Sequence, residues 1–280
     1  MDLNRAILYA QLVNAAYAIL PDDIVSAAGK TVPTDTPTHE VVSTIYANDL
    51  ATEMRPERGN TRVSIGLVLQ KLGDGDVVIA IRGTEGVHEW IHDAQFLPTR
   101  CPFNPGIGHT EDGFTCMYKS MKVGTDDAAL PVAEALPKLP FKRPVTSLTI
   151  CGHSLGGALA TLLALDVAVN TVNPNFNFPP TVYTYASPRA GDDSFVALYN
   201  HVVPNTFRIA NRVDLVPKLP LPPLYDHVLG LVDLSSVTLV PPKFLIKPEI
   251  ACQHILSSYL FLLSMQAGGG VIALPDQCKL

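Results

Sequence analysis

The stretch ICGHSLGGALA, residues 150–160, places a serine between glycines at the end of an apolar run. The residues before it are mostly β-branched and apolar, and residues 155–167 are rich in alanine and leucine, so the pattern predicts a strand, a tight turn and a helix. Such a turn displays the Ser154 hydroxyl in a strained backbone conformation, provided that Gly152 and Gly156 stay small. The pattern predicts a nucleophilic serine; the alternative is a glycine-rich turn with an idle hydroxyl.

Strand and helix patterns alternate along the rest of the chain. This alternation predicts the α/β class, with a mostly parallel central sheet and helices on both faces. Before the serine, the pattern predicts a helix, three strands and a helix, at residues 1–20, 36–46, 61–71, 76–84 and 126–139. After the serine helix, it predicts strand, helix, strand, strand and helix, at residues 180–186, 193–200, 205–211, 237–240 and from 254 onward. Because the composition does not change along the chain, we expect a single domain, residues 1–280.

The composition narrows the class of protein. Hydrophobic residues make up 47% of the chain and charged residues 16%, so a large core is expected, with apolar surface left for a ligand. The formal charge is -6 and no basic block occurs, which argues against a nucleic-acid partner. No apolar run is long enough to span a bilayer, and residues 1–20 resemble a folded helix more than a signal peptide. We therefore expect a soluble protein of unknown compartment, and a leader removed beforehand would leave no trace.

The cysteines give no clear framework. Five occur, an odd number without metal-ligand spacing, so neither a zinc site nor a full set of disulfides is expected: Cys101, Cys116, Cys151, Cys252 and Cys278. We expect thiols at these positions, with a Cys101–Cys116 bridge as the alternative.

A nucleophilic serine needs a base, and the base needs an acid that holds its tautomer. Asp214, in NRVDLVP, directly follows the apolar strand pattern and so falls at the carboxyl end of a strand, where open α/β sheets place their sites. Asp192 and Asp193 follow PRAG and are predicted to cap a helix. Asp214 is therefore the candidate acid.

The candidate base is His254. It comes after one further strand pattern and at the start of the last helix, where a loop can bring its imidazole over the serine. His227 is the alternative, and otherwise a polar residue on a loop rim. His201 precedes the candidate acid and falls in an expected surface turn, whereas His153 is expected to pack under the serine turn.

An acyl-transfer site also needs amide groups aimed at the oxyanion. One comes from the residue after the nucleophile, Leu155, and a second from the end of an earlier strand. In IAIRGTEG, residues 79–86, Thr84 could donate both its backbone N–H and its hydroxyl. The alternative is a simple strand-ending turn.

Together these segments resemble the class 3 lipase family, which includes fungal triacylglycerol lipases and plant acylhydrolases. The motifs run in family order through residues 77–260: IAIRGT, the W-I-x-D of residues 90–93, ICGHSLGGALA, TYASPRAGDDSF, RIANRVDLVPKLP and HILSSYL. The resemblance implies the α/β-hydrolase fold with a short lid. It gives the nucleophile, acid, base and oxyanion roles to Ser154, Asp214, His254, Thr84 and Leu155.

By the same resemblance, residues 85–98 correspond to the lid. Four apolar residues are expected to anchor this lid, and the alternative is that they are simple core residues: Val87, Trp90, Ile91 and Phe96. His153 is expected to lie near the same substrate pocket. Ala186, in TYASPR, stands where the family usually has glycine.

These observations predict a serine carboxylic-ester hydrolase, a triacylglycerol lipase that cleaves acylglycerols through an acyl-enzyme and requires no metal or cofactor. Alternatives of the same chemistry are a phospholipase A1 and a carboxylesterase acting on soluble esters, aromatic esters included. An alternative of another class is a hydrolase fold that binds a lipid without turnover. The expected partner is a lipid or other ester, for a lipase at an oil–water interface. The natural ester and the oligomeric state are left open.

Overall fold

A nine-stranded sheet runs through the described part of the molecule and carries the serine turn at the end of a central strand. The computed structural model describes residues 1–18, 38–48, 62–84, 95–124, 128–170, 176, 178–240, 246–269 and 272–280. The strands within these ranges are β1 (His39–Asn48), β2 (Arg62–Lys71), β3 (Asp76–Ile81), β4 (Pro98–Arg100), β5 (His109–Glu111), β6 (Lys122–Val123), β7 (Leu130–Pro131), β8 (Ser147–His153), β9 (Thr181–Tyr185), β10 (Thr206–Asn211) and β11 (Leu231–Leu234).

The sheet has a parallel part and an antiparallel part. Its strand order is β11-β10-β9-β8-β3-β2-β1-β6-β7, and β4 pairs with β5 in a separate hairpin. The strands from β11 to β3 pair in parallel, whereas those from β3 to β7 pair antiparallel. Parallel strands end on the same edge of a sheet, so the carboxyl ends of β8, β9 and β10 lie side by side.

Helices cover both faces of the sheet, which confirms the expectation from the alternating pattern. They are α1 (Leu3–Ala18), α2 (Asp112–Ser120), α3 (Val132–Ala135), α4 (Leu155–Asn170), α5 (Asp193–Val202), α6 (Ser236–Leu239), α7 (Ile250–His254) and α8 (Leu256–Gln266). Ile79 of β3 belongs to the core that α2, α4 and α5 cover, and its neighbours Val78 and Ala80 to the core of α1 and α8. This period of two is that of a strand buried on both faces. None of the described helices is long and apolar enough to cross a membrane.

Two predicted elements are wrong. The described residues of 126–139 form β7, the four-residue helix α3 and a 3-10 turn over Leu136–Lys138, because Pro131 and Pro137 interrupt a longer helix. Residues 237–240 were expected to form a strand, but β11 lies earlier and most of the stretch belongs to α6. Its parallel partner β10 ends opposite Leu234, so no neighbour remains with which the strand could pair further.

A disulfide joins Cys252 of α7 to Cys278 near the end of the chain. No spacing pattern predicts this pair, whose members are 26 residues apart, and the expectation of thiols was wrong for both. The Cys101–Cys116 alternative does not form, because both residues carry thiols, as Cys151 does. The bridge attaches the C-terminal segment to the short helix that ends in His254.

Candidate active site

Ser154 sits in a sharp turn between β8 and α4. Its φ angle is 57°, in the left-handed region that costs an L-residue about 1–2 kcal/mol. A Cβ on Gly152 would lie 2.1 Å from the carbonyl oxygen of Gly156, and one on Gly156 would lie 2.4 Å from that of Ile81. The backbone is therefore packed too closely for a larger residue at either position. The Ser154 N–H donates to the carbonyl of Tyr185 at 2.8 Å, which fixes the turn against β9.

The structure brings three of the predicted residues into one hydrogen-bonded row. His254 Nε2 lies 2.8 Å from Ser154 Oγ, 100 residues away in the chain. His254 Nδ1 lies 2.8 Å from Asp214 Oδ2, and this imidazole and carboxylate are 3% and 0% exposed. A carboxylate can only accept, so Nδ1 carries the proton and Nε2 is left to accept from the serine hydroxyl.

Two further donors hold the Asp214 carboxylate. The Val216 N–H donates to Oδ1 at 3.0 Å, and the Tyr259 hydroxyl donates to Oδ2 at 2.8 Å. Burial, and then the charge of Asp214, raise the pKa of Tyr259 well above its ordinary value, so the phenol stays a neutral donor. Sequence reasoning missed Tyr259, because it stands in an apolar helical run without a local signal of its role.

His153 packs under the turn, as expected, and its ring centroid lies 4.9 Å from that of His254. The backbone carbonyl of His254 accepts from His153 Nε2 at 2.8 Å, which leaves Nδ1 to accept from the Tyr17 hydroxyl at 2.8 Å. Burial, and then the neighbouring His254, lower the pKa of His153 to about 3, so this ring is neutral. His153 was also predicted to lie near the substrate pocket. Both of its ring nitrogens are hydrogen-bonded within the protein, so neither is left to bind a substrate there.

Of the two predicted oxyanion residues, Leu155 directly follows Ser154, and Thr84 directly follows Gly83, which packs against the serine. Leu155 is the first residue of α4, whose first N–H groups have no partner within the helix. A Cβ on Gly83 would lie 2.9 Å from the Cβ of Ser154, so the strand end that leads into Thr84 packs directly against the serine. The Gly83 N–H donates to the Tyr17 hydroxyl at 2.8 Å, which ties this strand end to α1.

The alternative histidines lie elsewhere. His227 Nε2 lies 2.6 Å from the carbonyl oxygen of Pro217, and burial, followed by the charge of Arg208, lowers its pKa to about 3. It is thus held, half-buried, in the loop after β10. His201 is exposed in the last turn of α5. Asp192 caps that helix as predicted, since its side chain accepts from the Phe195 N–H at 3.0 Å.

Ala186, directly after β9, has a φ angle of 54°. This left-handed conformation is the one for which glycine is the usual choice, and alanine adopts it at an energetic cost. The Ala186 N–H donates to the Ile209 carbonyl at 3.0 Å, and the residue is fully buried. The surrounding sheet therefore holds the strained backbone in place beside the serine turn.

Of the predicted lid, Val87, Trp90 and Ile91 lie outside the described residues. Phe96 is described: it is half-buried against the core, has a φ angle of 50° and accepts from the Tyr225 hydroxyl at 2.9 Å. Within the described ranges, no three His, Cys, Asp or Glu side chains gather where they could hold a metal ion.

A cavity of about 700 Å³ lies at the other end of α4 and does not reach the serine. Its walls include Tyr118 and Asp166, which are hydrogen-bonded to each other, and Asn170, whose side chain donates to the same carboxylate at 2.7 Å. The chemistry of the row therefore belongs to the carboxyl edge of the sheet and not to this cavity.

The sheet, its helices and the serine turn define an α/β-hydrolase, and comparison with known proteins gives the family. The sequence profile described as Lipase (class 3) matches residues 78–223. The chain belongs to the class 3 lipase family.

Relatives and solved structures agree with this assignment. The chain is 31% identical to "Phospholipase A1-II 3" of Oryza sativa subsp. japonica over 76% of its own length and 54% of the relative. It is 37% identical to "Secreted mono- and diacylglycerol lipase A" of Penicillium cyclopium, over 54% of the chain and 46% of the relative. The chain thus spans about half the length of the curated relatives it matches.

Solved structures of fungal lipases share the fold. A mutant form of MDLA from Penicillium cyclopium superposes with a TM-score of 0.62 at 24% identity, over 83% of this chain and 79% of that one. The native Rhizomucor miehei lipase propeptide complex gives 0.60 at 22% identity, over 82% and 68%.

Proposed function

We propose that this protein is a serine carboxylic-ester hydrolase, a triacylglycerol lipase that cleaves acylglycerol esters. The observation that carries the proposal is the buried row in which His254 lies 2.8 Å from both Ser154 Oγ and Asp214 Oδ2. A hydroxyl, a base and an acid in this order are what acyl transfer to serine requires.

In the proposed reaction, His254 Nε2 takes the hydroxyl proton of Ser154 while Oγ attacks the ester carbonyl carbon. The N–H groups of Leu155 and Thr84 stabilise the oxyanion of the tetrahedral intermediate. His254 then gives its proton to the leaving alcohol, and the acyl group stays on Ser154. A water molecule, deprotonated by His254, attacks the carbonyl carbon of this acyl-enzyme; the bond to Ser154 Oγ then breaks, His254 returns the proton to Oγ, and the fatty acid is released. Asp214 stabilises the imidazolium in both halves.

The experiment that tests this proposal compares the protein with its Ser154→Ala variant. Turnover of p-nitrophenyl butyrate and of emulsified triolein should be measurable in the first and fall by about 10⁴-fold or more in the second. A fluorophosphonate probe should label the unaltered protein once per chain, at Ser154. Turnover that persists in the variant contradicts the nucleophile assignment, and folded protein that neither turns over nor labels favours a lipid-binding module.

Phospholipase A1 activity is the second candidate function, since rice relatives carry that name. Phosphatidylcholine labelled at one acyl position distinguishes it from acylglycerol hydrolysis. Higher kcat/KM on the phospholipid than on triolein, with release from the first glycerol carbon, would favour this candidate. A clear preference for short soluble or aromatic esters would instead favour a carboxylesterase.

We further infer that the substrate is met at an oil–water interface. Apolar side chains are exposed in the segments that follow the carboxyl ends of β3 and β10: Leu97, Leu215, Leu221 and Leu224. Residues 1–280 would act as one domain in this reaction, since both cores share a single sheet. Tributyrin hydrolysis measured below and above its solubility tests the inference: a rate that rises at the solubility limit supports it, and a smooth hyperbola contradicts it.

A further inference from the structure

Three buried polar side chains connect the segments that carry Asp214 and His254. They form the amide cluster, made of Asn211 at the end of β10, Ser236 at the start of α6 and Gln253 in α7. All three are less than 7% exposed, at 1%, 4% and 6%, and none belongs to the proposed catalytic row.

Gln253 uses the full hydrogen-bonding capacity of its amide. Its Nε2 donates to the carbonyls of Ile246 and Lys247 at 3.4 and 2.9 Å. Its Oε1 accepts from Asn211 Nδ2 at 2.9 Å and from the Ser236 hydroxyl at 3.1 Å. Two carbonyl acceptors on one side and two donors on the other leave only one orientation of the amide.

Asn211 is held as completely. Its Nδ2 also donates to the backbone carbonyl of Gln253 at 3.3 Å, and its Oδ1 accepts from the Ser236 N–H at 3.3 Å. Its own N–H donates to the Tyr259 hydroxyl at 3.0 Å, and its carbonyl accepts from the Asp214 N–H at 3.0 Å. Asn211 therefore connects two parts of the chain: the turn that carries the Asp214 carboxylate, and the segment that carries the His254 imidazole.

The place of Gln253 in the chain gives this connection its effect. Gln253 directly precedes His254 in α7, a five-residue helix without a side-chain cap. A helix of this length has little stability of its own, so contacts outside it decide where its last residue stands. A fully satisfied buried polar network selects one arrangement of the segments it joins, whereas apolar packing alone tolerates small displacements.

We propose that Asn211 and Gln253 are positioning residues, which set the separation between the Asp214 carboxylate and the His254 imidazole. The proposal rests on the proposed hydrolase function. Neither side chain touches the reacting atoms; both act through the two residues beside them.

Replacing Gln253 by methionine tests the proposal, because the side chain keeps its length and loses all four hydrogen bonds. The expected result is a fall in kcat of about 10- to 100-fold on p-nitrophenyl butyrate with KM within about twofold, since a small misplacement of catalytic groups slows chemistry more than binding. Rates are expressed per fluorophosphonate-reactive serine, so unfolded protein does not count. Asn211→Ala should lower kcat similarly, and the double variant should lose little more, because the two residues act as one unit.

Gln70 provides the matched control. It is fully buried in β2, accepts from the Lys142 and Arg143 N–H groups, and donates to the Arg143 carbonyl, far from the catalytic row. Gln70→Met should destabilise the fold to a similar extent but leave kcat within about twofold. Should Gln253→Met fail to fold, Ser236→Ala, which removes one bond of the cluster, should still lower kcat by about two- to fivefold.

Two outcomes overturn the proposal: an unchanged kcat in the cluster variants, or an equal fall in Gln70→Met. Failure of the proposed function itself gives a different pattern, because the unaltered protein would then hydrolyse no ester and label with no probe.

Discussion

At the scale of single residues, the proposed chemistry depends on groups that hold the catalytic side chains as much as on those side chains. Tyr259 illustrates this, because its hydroxyl donates to the Asp214 carboxylate and accepts from the Asn211 N–H. A phenol in this position keeps a buried negative charge solvated while it cannot itself ionise near neutral pH.

Tyr259→Phe should lower kcat about tenfold and leave KM nearly unchanged. The reason is the loss of one hydrogen bond to a buried carboxylate, a contact of about 1.5–3 kcal/mol. Tyr199→Phe is the control, since Tyr199 is also fully buried and bonded to a hydroxyl, Thr206 Oγ1 at 3.0 Å, but lies on the opposite face of the sheet. Equal losses of kcat in the two variants would contradict a specific role for Tyr259.

His39 contributes a pH dependence that is separate from catalysis. Burial, and then the charge of Lys71, lower its pKa to about 4 in the folded protein, against about 6.5 in an unfolded chain. A neutral histidine favours the folded state, so its contribution is complete above pH 6.5 and is lost as pH falls towards 4. Over this window the unfolded chain binds up to one proton more than the folded protein. The free energy of unfolding therefore falls by about 1.4 kcal/mol for each unit by which the pH is lowered.

Urea unfolding at pH 7, 6 and 5 measures this effect. The acid-induced loss of stability should be smaller in His39→Gln than in the unaltered protein, by roughly the amount given above. Parallel curves for the two proteins would show that His39 does not titrate differently on folding.

At the scale of elements, α7 has the least stability of its own of any part of the site, because it is so short. Contacts with other parts of the chain hold it in place. The Cys252–Cys278 bridge attaches it to the C-terminal segment, whose Cys278 carbonyl accepts from the Lys247 N–H at 2.9 Å. Cross-linking residues 26 apart removes conformations mainly from the unfolded chain.

Replacing both bridge cysteines, Cys252→Ala with Cys278→Ala, should lower the free energy of unfolding by about 3 kcal/mol. The kcat on a soluble ester should fall as well, because α7 ends in His254. A reductant should lower the thermal midpoint of the unaltered protein and leave that of the double variant where it is. If the reductant lowers both midpoints equally, its effect does not come from the Cys252–Cys278 bridge.

The elements also show what sequence can predict. The serine turn was predictable because its requirements are local: a strand, small residues around Ser154 and a helix. Tyr259, Gln253 and the Cys252–Cys278 bridge were not, since each gains its role from a partner distant in the chain. The strand expected at residues 237–240 failed for a related reason, because β10 ends before it and offers no further pairing.

At the scale of the whole molecule, exposed leucines lie at both ends of the parallel strands, one pair beyond the carboxyl end of β10 and another at the amino end of β11. Leu221 and Leu224 belong to the loop after Asp214, which Arg189 holds by donating its N–H to the Leu219 carbonyl at 2.7 Å. Leu229 and Leu231 lie at the amino end of β11. The two pairs are similarly exposed, at 67% and 61% against 69% and 58%.

Under the proposed interfacial action, Leu221→Ser with Leu224→Ser should lower the rate on emulsified tributyrin several-fold, because less apolar area enters the lipid surface. The rate on dissolved p-nitrophenyl acetate should not change. Leu229→Ser with Leu231→Ser is the control and should leave both rates unchanged. A loss that is equal for the two pairs, or equal for dissolved and emulsified esters, would contradict the interfacial role of Leu221 and Leu224.

The first helix, α1, does more than cover one face of the sheet. Its Tyr17 hydroxyl accepts from the Gly83 N–H and donates to His153 Nδ1. A shortened clone that starts after this helix would still encode the full reactive trio of side chains. It would nevertheless expose a peptide N–H and an imidazole nitrogen directly beneath them, so an inactive fragment of that kind would say nothing against the trio.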